Sequence, residues 1–312
     1  MPSPPAGVGA YVPSYMYSAY KTADFSSIFS GTLRVFFRHP AQFILPYLAV
    51  SLGTALLVYV LLLGTSAGFL FGLDPTASPA AVLAAFNAFL VVLLVSVLVS
   101  LVLSTLVQGA VSHYAVLRHR GATISFAFSF RRAGRRFFTL LGGILLYTGV
   151  VFGVLAIAFV PLLAGLATLN LALLGLGILA VIPAAIFTLY LALALSLVVP
   201  AIMMEDVGVL GSFRRSWQMT KGHKLSIFGT LFVLLLISGA ITAALALPLG
   251  ARAGPIVSFL VQLLVGGALA SWTVIAYAVA YDLIAREPRY APFWGWPSPP
   301  IAAPPTSPPG PP

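Results

Sequence analysis

The chain contains no cysteine. That absence excludes disulfides, thiolate metal ligands and cysteine nucleophiles together. Charge is nearly as scarce: Asp, Glu, Lys and Arg make up 7% of the 312 residues, where a soluble domain carries about a quarter. So little charge cannot cover a water-facing surface, and most of the outside is expected to face lipid. Acidic residues are rarest. The six are Asp24, Asp74, Glu205, Asp206, Asp282 and Glu287, none in the middle of an apolar run, which leaves little for general acid–base chemistry. There is no glycine-rich phosphate loop, no His pair at metal spacing and no nucleophile elbow. No enzymatic activity, cofactor or metal is therefore expected. The first residues lack the apolar core of a signal peptide.

What the chain has in quantity is apolar sequence, 60% of all residues. A bilayer crossing needs roughly 20 such residues. Six spans are predicted, at about 43–71, 80–107, 137–164, 171–202, 225–247 and 255–284. Phe137–Met204 holds no charged side chain and is too long for one helix in a bilayer, so it folds back near Gly165–Asn170. The Gln108–Arg118 end of the second span is expected to project past the headgroups. Residues 25–290 form the membrane domain. Residues 1–24 read as a flexible segment, and 291–312, dominated by Pro, as a disordered tail.

All 16 Lys and Arg residues but Arg252 fall in four stretches, Lys21–Arg38, Arg118–Arg136, Arg214–Lys224 and Arg286–Arg289. With the N-terminus inside, every one of those stretches is cytoplasmic and Arg252 alone is outside. The positive-inside rule therefore predicts a multi-pass protein of the cell membrane with both termini in the cytoplasm. The net charge of +10 sits beside membrane segments, where anionic headgroups rather than nucleic acid are the expected partner, with a second membrane protein as the other candidate.

Each odd-numbered span is preceded by a short segment with amphipathic helical spacing. In the first, Phe25, Phe29, Thr32, Leu33 and Phe36 oppose Ser27, Arg34 and Arg38, with Asp24 as N-cap and Pro40 as the stop. In the second, Phe126, Phe130, Ala133 and Phe137 oppose Arg131, Arg132, Arg135 and Arg136, with Phe128 on the wrong side. The third sets Val209, Phe213 and Trp217 against Arg214, Arg215, Gln218 and Lys221. Helices so divided lie in the interface plane, rings among acyl chains and cations at phosphates. The fold class is all-α: three transmembrane hairpins, each led by a basic interfacial helix.

Polar groups near the membrane raise functional candidates. Glu205 and Asp206 would bind a cation or take a proton, or else cap the third short helix or pair with an Arg. The structural reading is the simpler. His113 is expected to make a headgroup-level polar contact, and His39, His119 and His223 sit in basic loops. Asn87, Asn170 and Gln262 are read as interhelical hydrogen-bonding groups. Pro161 and Pro183 interrupt the long hairpin, as Pro often does in membrane helices.

Pro200-Ala-Ile-Met-Met-Glu205, then Phe213-Arg214-Arg215-Ser216-Trp217 and Thr220-Lys221-Gly222, resemble the prokaryotic membrane-domain family of glycerophosphoryl diester phosphodiesterase. Arg34–Pro40 and Gln108-Gly109 through Gly121 also look like that family, so the resemblance spans roughly Ser26–Arg286. It implies fold and membrane location. In the name-giving proteins catalysis belongs to an attached soluble barrel, so the resemblance carries over no phosphodiesterase activity. The expected role is a non-enzymatic lipid-contacting or accessory membrane module. Arg34, Arg38, Arg131, Arg132, Arg135, Arg136, Arg214, Arg215, Lys221 and Lys224 are the headgroup contacts; a transporter or channel for a small or lipid-like molecule is the rival.

Overall fold

The computed structural model of the chain describes residues 23–63, 78–250 and 255–287, without the side chains of 62–63, 246–250, 255–264 and 268. Most of the expected flexible segment 1–24, the expected Pro-rich tail 291–312, Asp74 and Arg252 lie outside the described residues. The described chain is helical throughout. In order the helices are α1 (Phe25–Arg38), α2 (Pro40–Leu63), α3 (Pro79–His119), α4 (Phe126–Arg135), α5 (Phe137–Thr168), α6 (Leu171–Ala194), α7 (Val198–Glu205), α8 (Val209–Met219), α9 (Lys224–Gly250) and α10 (Pro255–Ala285). Six segments are long and apolar enough to cross a membrane.

Caps set the helix starts. Asp24 accepts from Ser27 N at 3.1 Å, Ser78 from Ala81 N and Ser125 from Phe128 N; each satisfies a backbone donor that the first turn leaves open. Asn170 caps α6 by accepting from Ala172 N and Leu173 N, so it makes the hairpin turn and is not an interhelical group as expected. Pro40 ends α1 and begins α2. Gly222, at φ +86°, turns the chain from α8 into α9 through a conformation that favours glycine.

The hairpins α2–α3, α5–α6 and α9–α10 form as predicted, but they are not equivalent. Helix α10 is the axis: α1, α2, α3 and α9 all pack on it, and nearly every residue from Ser271 to Ile284 is buried. Hairpin α5–α6 stands on the flank. Its two helices meet closely at Gly177, where a β-carbon would stand 2.6 Å from the Leu162 backbone; small residues allow such contact between membrane helices. Its other faces carry exposed Leu169, Leu171, Leu179 and Ile186, as lipid-facing helices should.

The packed core lies at one end of the bundle, where all three short helices gather. It joins Ile28, Phe43, Tyr114, Leu197, Met219, Ile275 and Ile284 to a second cluster around Ala133, Leu140, Val198 and Ile202. Beyond Gln108 helix α3 is packed within the protein: Gly109–Val116 is its most buried stretch, against α4 and α10. One expectation changes here. The fourth span is not one helix. Neither Pro161 nor Pro183 ends a helix, and the break comes instead at Leu195–Leu197, between α6 and α7.

Candidate functional site

The three short helices dock through the same register. Counting from the N-caps Asp24, Ser125 and Gly208, the fourth and eighth residues are Ile28 and Thr32, Ser129 and Ala133, Ser212 and Ser216, and all six are at most 1% exposed. A ridge of mainly small side chains lets each helix approach its neighbours closely. Ser27, expected on the polar face, is buried, while Phe25 and Phe130, expected among acyl chains, are substantially exposed, as is Phe128.

Serines on that ridge do specific work. Ser129 Oγ meets His113 Nδ1 at 3.0 Å, with His113 itself buried, so the polar contact of His113 joins α3 to α4. Ser216 closes the break between α6 and α7: its hydroxyl donates to Ala194 O at 2.9 Å and accepts from Leu197 N at 3.1 Å. Thr220 also donates to Ala194 O. Both backbone groups would otherwise be buried and unpaired. Ser216 and Thr220 belong to the motif Phe213–Gly222, and this joint gives them a physical role.

Glu205 and Asp206 follow the joint and divide between two units. Asp206, in a left-handed conformation at φ 56°, receives Arg132 at 3.0 Å and also Arg136. The same arginines cap the end of α7, Arg132 donating to Met203 O at 3.0 Å and Arg136 to Ile202 O at 3.2 Å. Glu205 turns inward. Its Oε1 accepts from Arg215 Nε at 2.9 Å and Tyr281 OH at 2.8 Å, while Oε2 is buried without a hydrogen-bond partner among the described residues. Adjacent carboxylates thus hold α4 to one side and α8 and α10 to the other.

A second carboxylate centre was not singled out by the sequence. Asp282 of α10 is completely buried and receives His119 Nδ1, Arg120 Nε and Arg286. It ties the end of α3 to α10. His223 lies 3.1 Å from Glu287. Outside the spans, burial and the neighbouring Arg118 and Arg38 hold His39 below the usual histidine range. Hydrogen bonds from Ser27, partly offset by desolvation, hold the Asp24 carboxyl below its usual range. Among the described residues no three His, Asp or Glu side chains gather as a metal site would need.

The expected headgroup cations separate into two sets. Arg132, Arg136 and Arg215 are engaged as above, and Lys224 Nζ stands 3.5 Å from the centre of the Tyr190 ring. The side chains of Arg34, Arg38, Arg131, Arg135, Arg214 and Lys221 make no hydrogen bond or ion pair among the described residues. Four of these six line two cavities. One, of about 740 Å³, is walled by Phe128, Arg131, Arg132, Arg135, Arg136, Thr139 and Asp206–Gly208. The other, of about 380 Å³, is walled by Arg34, Val35, Arg38, His39, Arg118, His119 and Gly121–Thr123. Each is made by the short helix of one unit and the turn that enters the next. The Asn87 side chain is exposed and without a hydrogen bond among the described residues; that of Gln262 is not described.

Residues 115–286 match a family described as a domain of unknown function, DUF7847. The match takes in the last turn of α3 and everything from α4 to Arg286, more than half of the chain, and the chain belongs to that family. No curated protein and no solved structure matches it.

Proposed function

We propose that this DUF7847 chain is a multi-pass protein of the cell membrane whose basic end faces the cytoplasm and holds anionic lipid headgroups. It acts as a lipid-contacting or accessory module rather than as an enzyme. One observation carries the reading: the cavity of about 740 Å³ gathers four guanidinium groups around a single carboxylate, and two of the four, Arg131 and Arg135, have no protein partner among the described residues. Guanidinium groups suit phosphate because their planar fork bonds two oxygens at once. Each basic residue at a membrane surface contributes about 1 kcal/mol toward anionic lipid. The orientation rests on the charge segregation, which leaves Arg252 alone on the far side.

The rival reading, a transporter or channel, would draw on the broken fourth span, since carriers use interrupted helices to bind cargo. Here the groups freed by the break go to Ser216 and Thr220, which gives that reading less support. The test uses the whole chain in nanodiscs containing a neutral lipid mixed with phosphatidylglycerol. The chain should enrich phosphatidylglycerol, the enrichment should weaken with salt, and Arg131→Gln with Arg135→Gln should reduce it about tenfold. Equal retention of neutral and anionic lipid would sink the proposal.

A further inference from the structure

We propose that the smaller cavity, between α1 and the α3–α4 turn, is a separate binding site for a phosphate group bearing two negative charges, as in a phosphate monoester or inorganic phosphate. The proposal rests on the reading that the basic end holds anions, and it adds which anion goes where.

The wall carries three guanidinium groups, from Arg34, Arg38 and Arg118, and no carboxylate. Arg34 and Arg38 stand one helical turn apart on the exposed face of α1 and have no partner among the described residues. Arg118 is already positioned. It donates to Tyr114 OH at 2.9 Å and to Ile124 O at 3.1 Å, so little side-chain freedom remains to be lost on binding. One acid, Asp282, stands behind His119. It is buried and already receives His119, Arg120 and Arg286, so it does not cancel the charge that lines the cavity.

Cations at helix C-termini have a plainer explanation, since Arg38 and Arg118 lie in the last turns of α1 and α3. Each such end carries only about half a negative charge, and the N-terminus of α2, beginning at Pro40, offsets one of them. Three full charges exceed what the dipoles require. In the larger cavity, by contrast, Asp206 already takes Arg132 and Arg136. Phosphate is the chemistry that matches several convergent guanidinium groups, and a second negative charge is favoured where no acid stands in the wall. About 380 Å³ is room for a phosphate with an organic substituent.

Lipid and soluble sources of this phosphate are separated by using both. The full chain is placed in phosphatidylcholine nanodiscs doped with phosphatidate, a monoester, or phosphatidylglycerol, a diester, and inorganic phosphate is titrated as competitor. Bound lipid is read by native mass spectrometry. Arg34→Gln with Arg38→Gln should lower phosphatidate retention about tenfold or more while leaving phosphatidylglycerol within about twofold. Arg34→Lys with Arg38→Lys keeps the charge without the fork and should fall between. Displacement of phosphatidate by inorganic phosphate assigns a site open to soluble phosphates; retention without displacement assigns a lipid headgroup. Unchanged phosphatidate retention and phosphate affinity in the Gln variant would overturn the proposal, as would equal loss of both lipids. If phosphatidylglycerol is instead indifferent to Arg131→Gln with Arg135→Gln, the general lipid reading fails while the phosphatidate result is read on its own.

Discussion

The two cavities at the basic end occupy corresponding places in successive units, yet the turn that closes one brings a carboxylate and the turn that closes the other does not. In the larger cavity, Asp206 lies 60% exposed in the wall and receives two arginines. In the smaller, the carboxylate has withdrawn to the fully buried Asp282 behind His119, and the wall itself carries basic groups and no acid. A carboxylate in the wall neutralises a site, whereas one behind the wall anchors it. Exposed and buried pairs should therefore respond very differently to removal.

The largest effect is expected at Asp282. Asp282→Asn takes the completely buried carboxylate away from Arg120, largely buried, and Arg286, half exposed, and breaking so buried a centre costs about 3 kcal/mol. Asp206→Asn breaks a solvent-screened pair and should cost under about 1 kcal/mol. Melting of the two variants in one detergent measures the difference. Equal losses would mean that the buried and exposed carboxylates do not hold the separate roles assigned to them.

Next comes the joint that places the Asp206 turn. Ser216→Ala removes the hydroxyl that bonds both Ala194 O and Leu197 N; Ala194 O keeps Thr220, while the stranded Leu197 N–H costs about 1–3 kcal/mol. Protection of the Leu197 amide in hydrogen exchange should fall, while amides of α1, on the other cavity, should not change.

The sequence carried the coarse fold in its apolar runs and its clustered cations, because span length and loop charge are local quantities. What escaped it was set across the chain. No Gly or Pro lies between Leu193 and Val199, and the local mark is Pro200 in the first turn of α7, which has no N–H for the carbonyl of Ser196. That the break falls after Ala194 depends on Ser216, in another helix, which satisfies the groups it frees. The docking ridges of α1 and α4 were not legible for a related reason. Periodicity set Phe126, Phe130 and Ala133 on one face toward the acyl chains, whereas the packed ridge pairs Ser129 with Ala133, because close approach rewards small side chains. At the candidate site, an Arg partner for Glu205 and Asp206 was anticipated, whereas the division of the pair between two units needed the fold. Asp282 was visible as one of six acids, but its three partners come from the distant α3 and the end of its own helix.

A smaller change should make the two cavities more alike. Asp206→Asn frees Arg132 and Arg136 from their counter-charge and leaves the larger cavity without an acid. Its preference should then move from phosphatidylglycerol toward phosphatidate by several-fold, a shift worth about 1 kcal/mol. Native mass spectrometry on the same nanodiscs reads it. An unchanged preference would show that the carboxylate in the wall does not set the difference.

The smallest effect separates the helices that carry the two sites. Helix α1, bearing Arg34 and Arg38, is capped by an acid, Asp24, while α4, bearing Arg131 and Arg135, is capped by Ser125, which does not titrate. The Asp24 carboxyl is held below its usual value chiefly by its hydrogen bond with Ser27. A carboxyl depressed in the folded state contributes stability above its unfolded pKa, about 3.9, and loses it as pH falls through the folded value. Below about pH 4, amides in the first turn of α1 should therefore lose hydrogen-exchange protection before those of α4. Asn caps a helix about as well as Asp, so Asp24→Asn should cost only a few tenths of a kcal/mol at pH 7 and abolish that acid sensitivity. If α1 of Asp24→Asn still loosens ahead of α4, protonation of this cap is not what distinguishes the two helices.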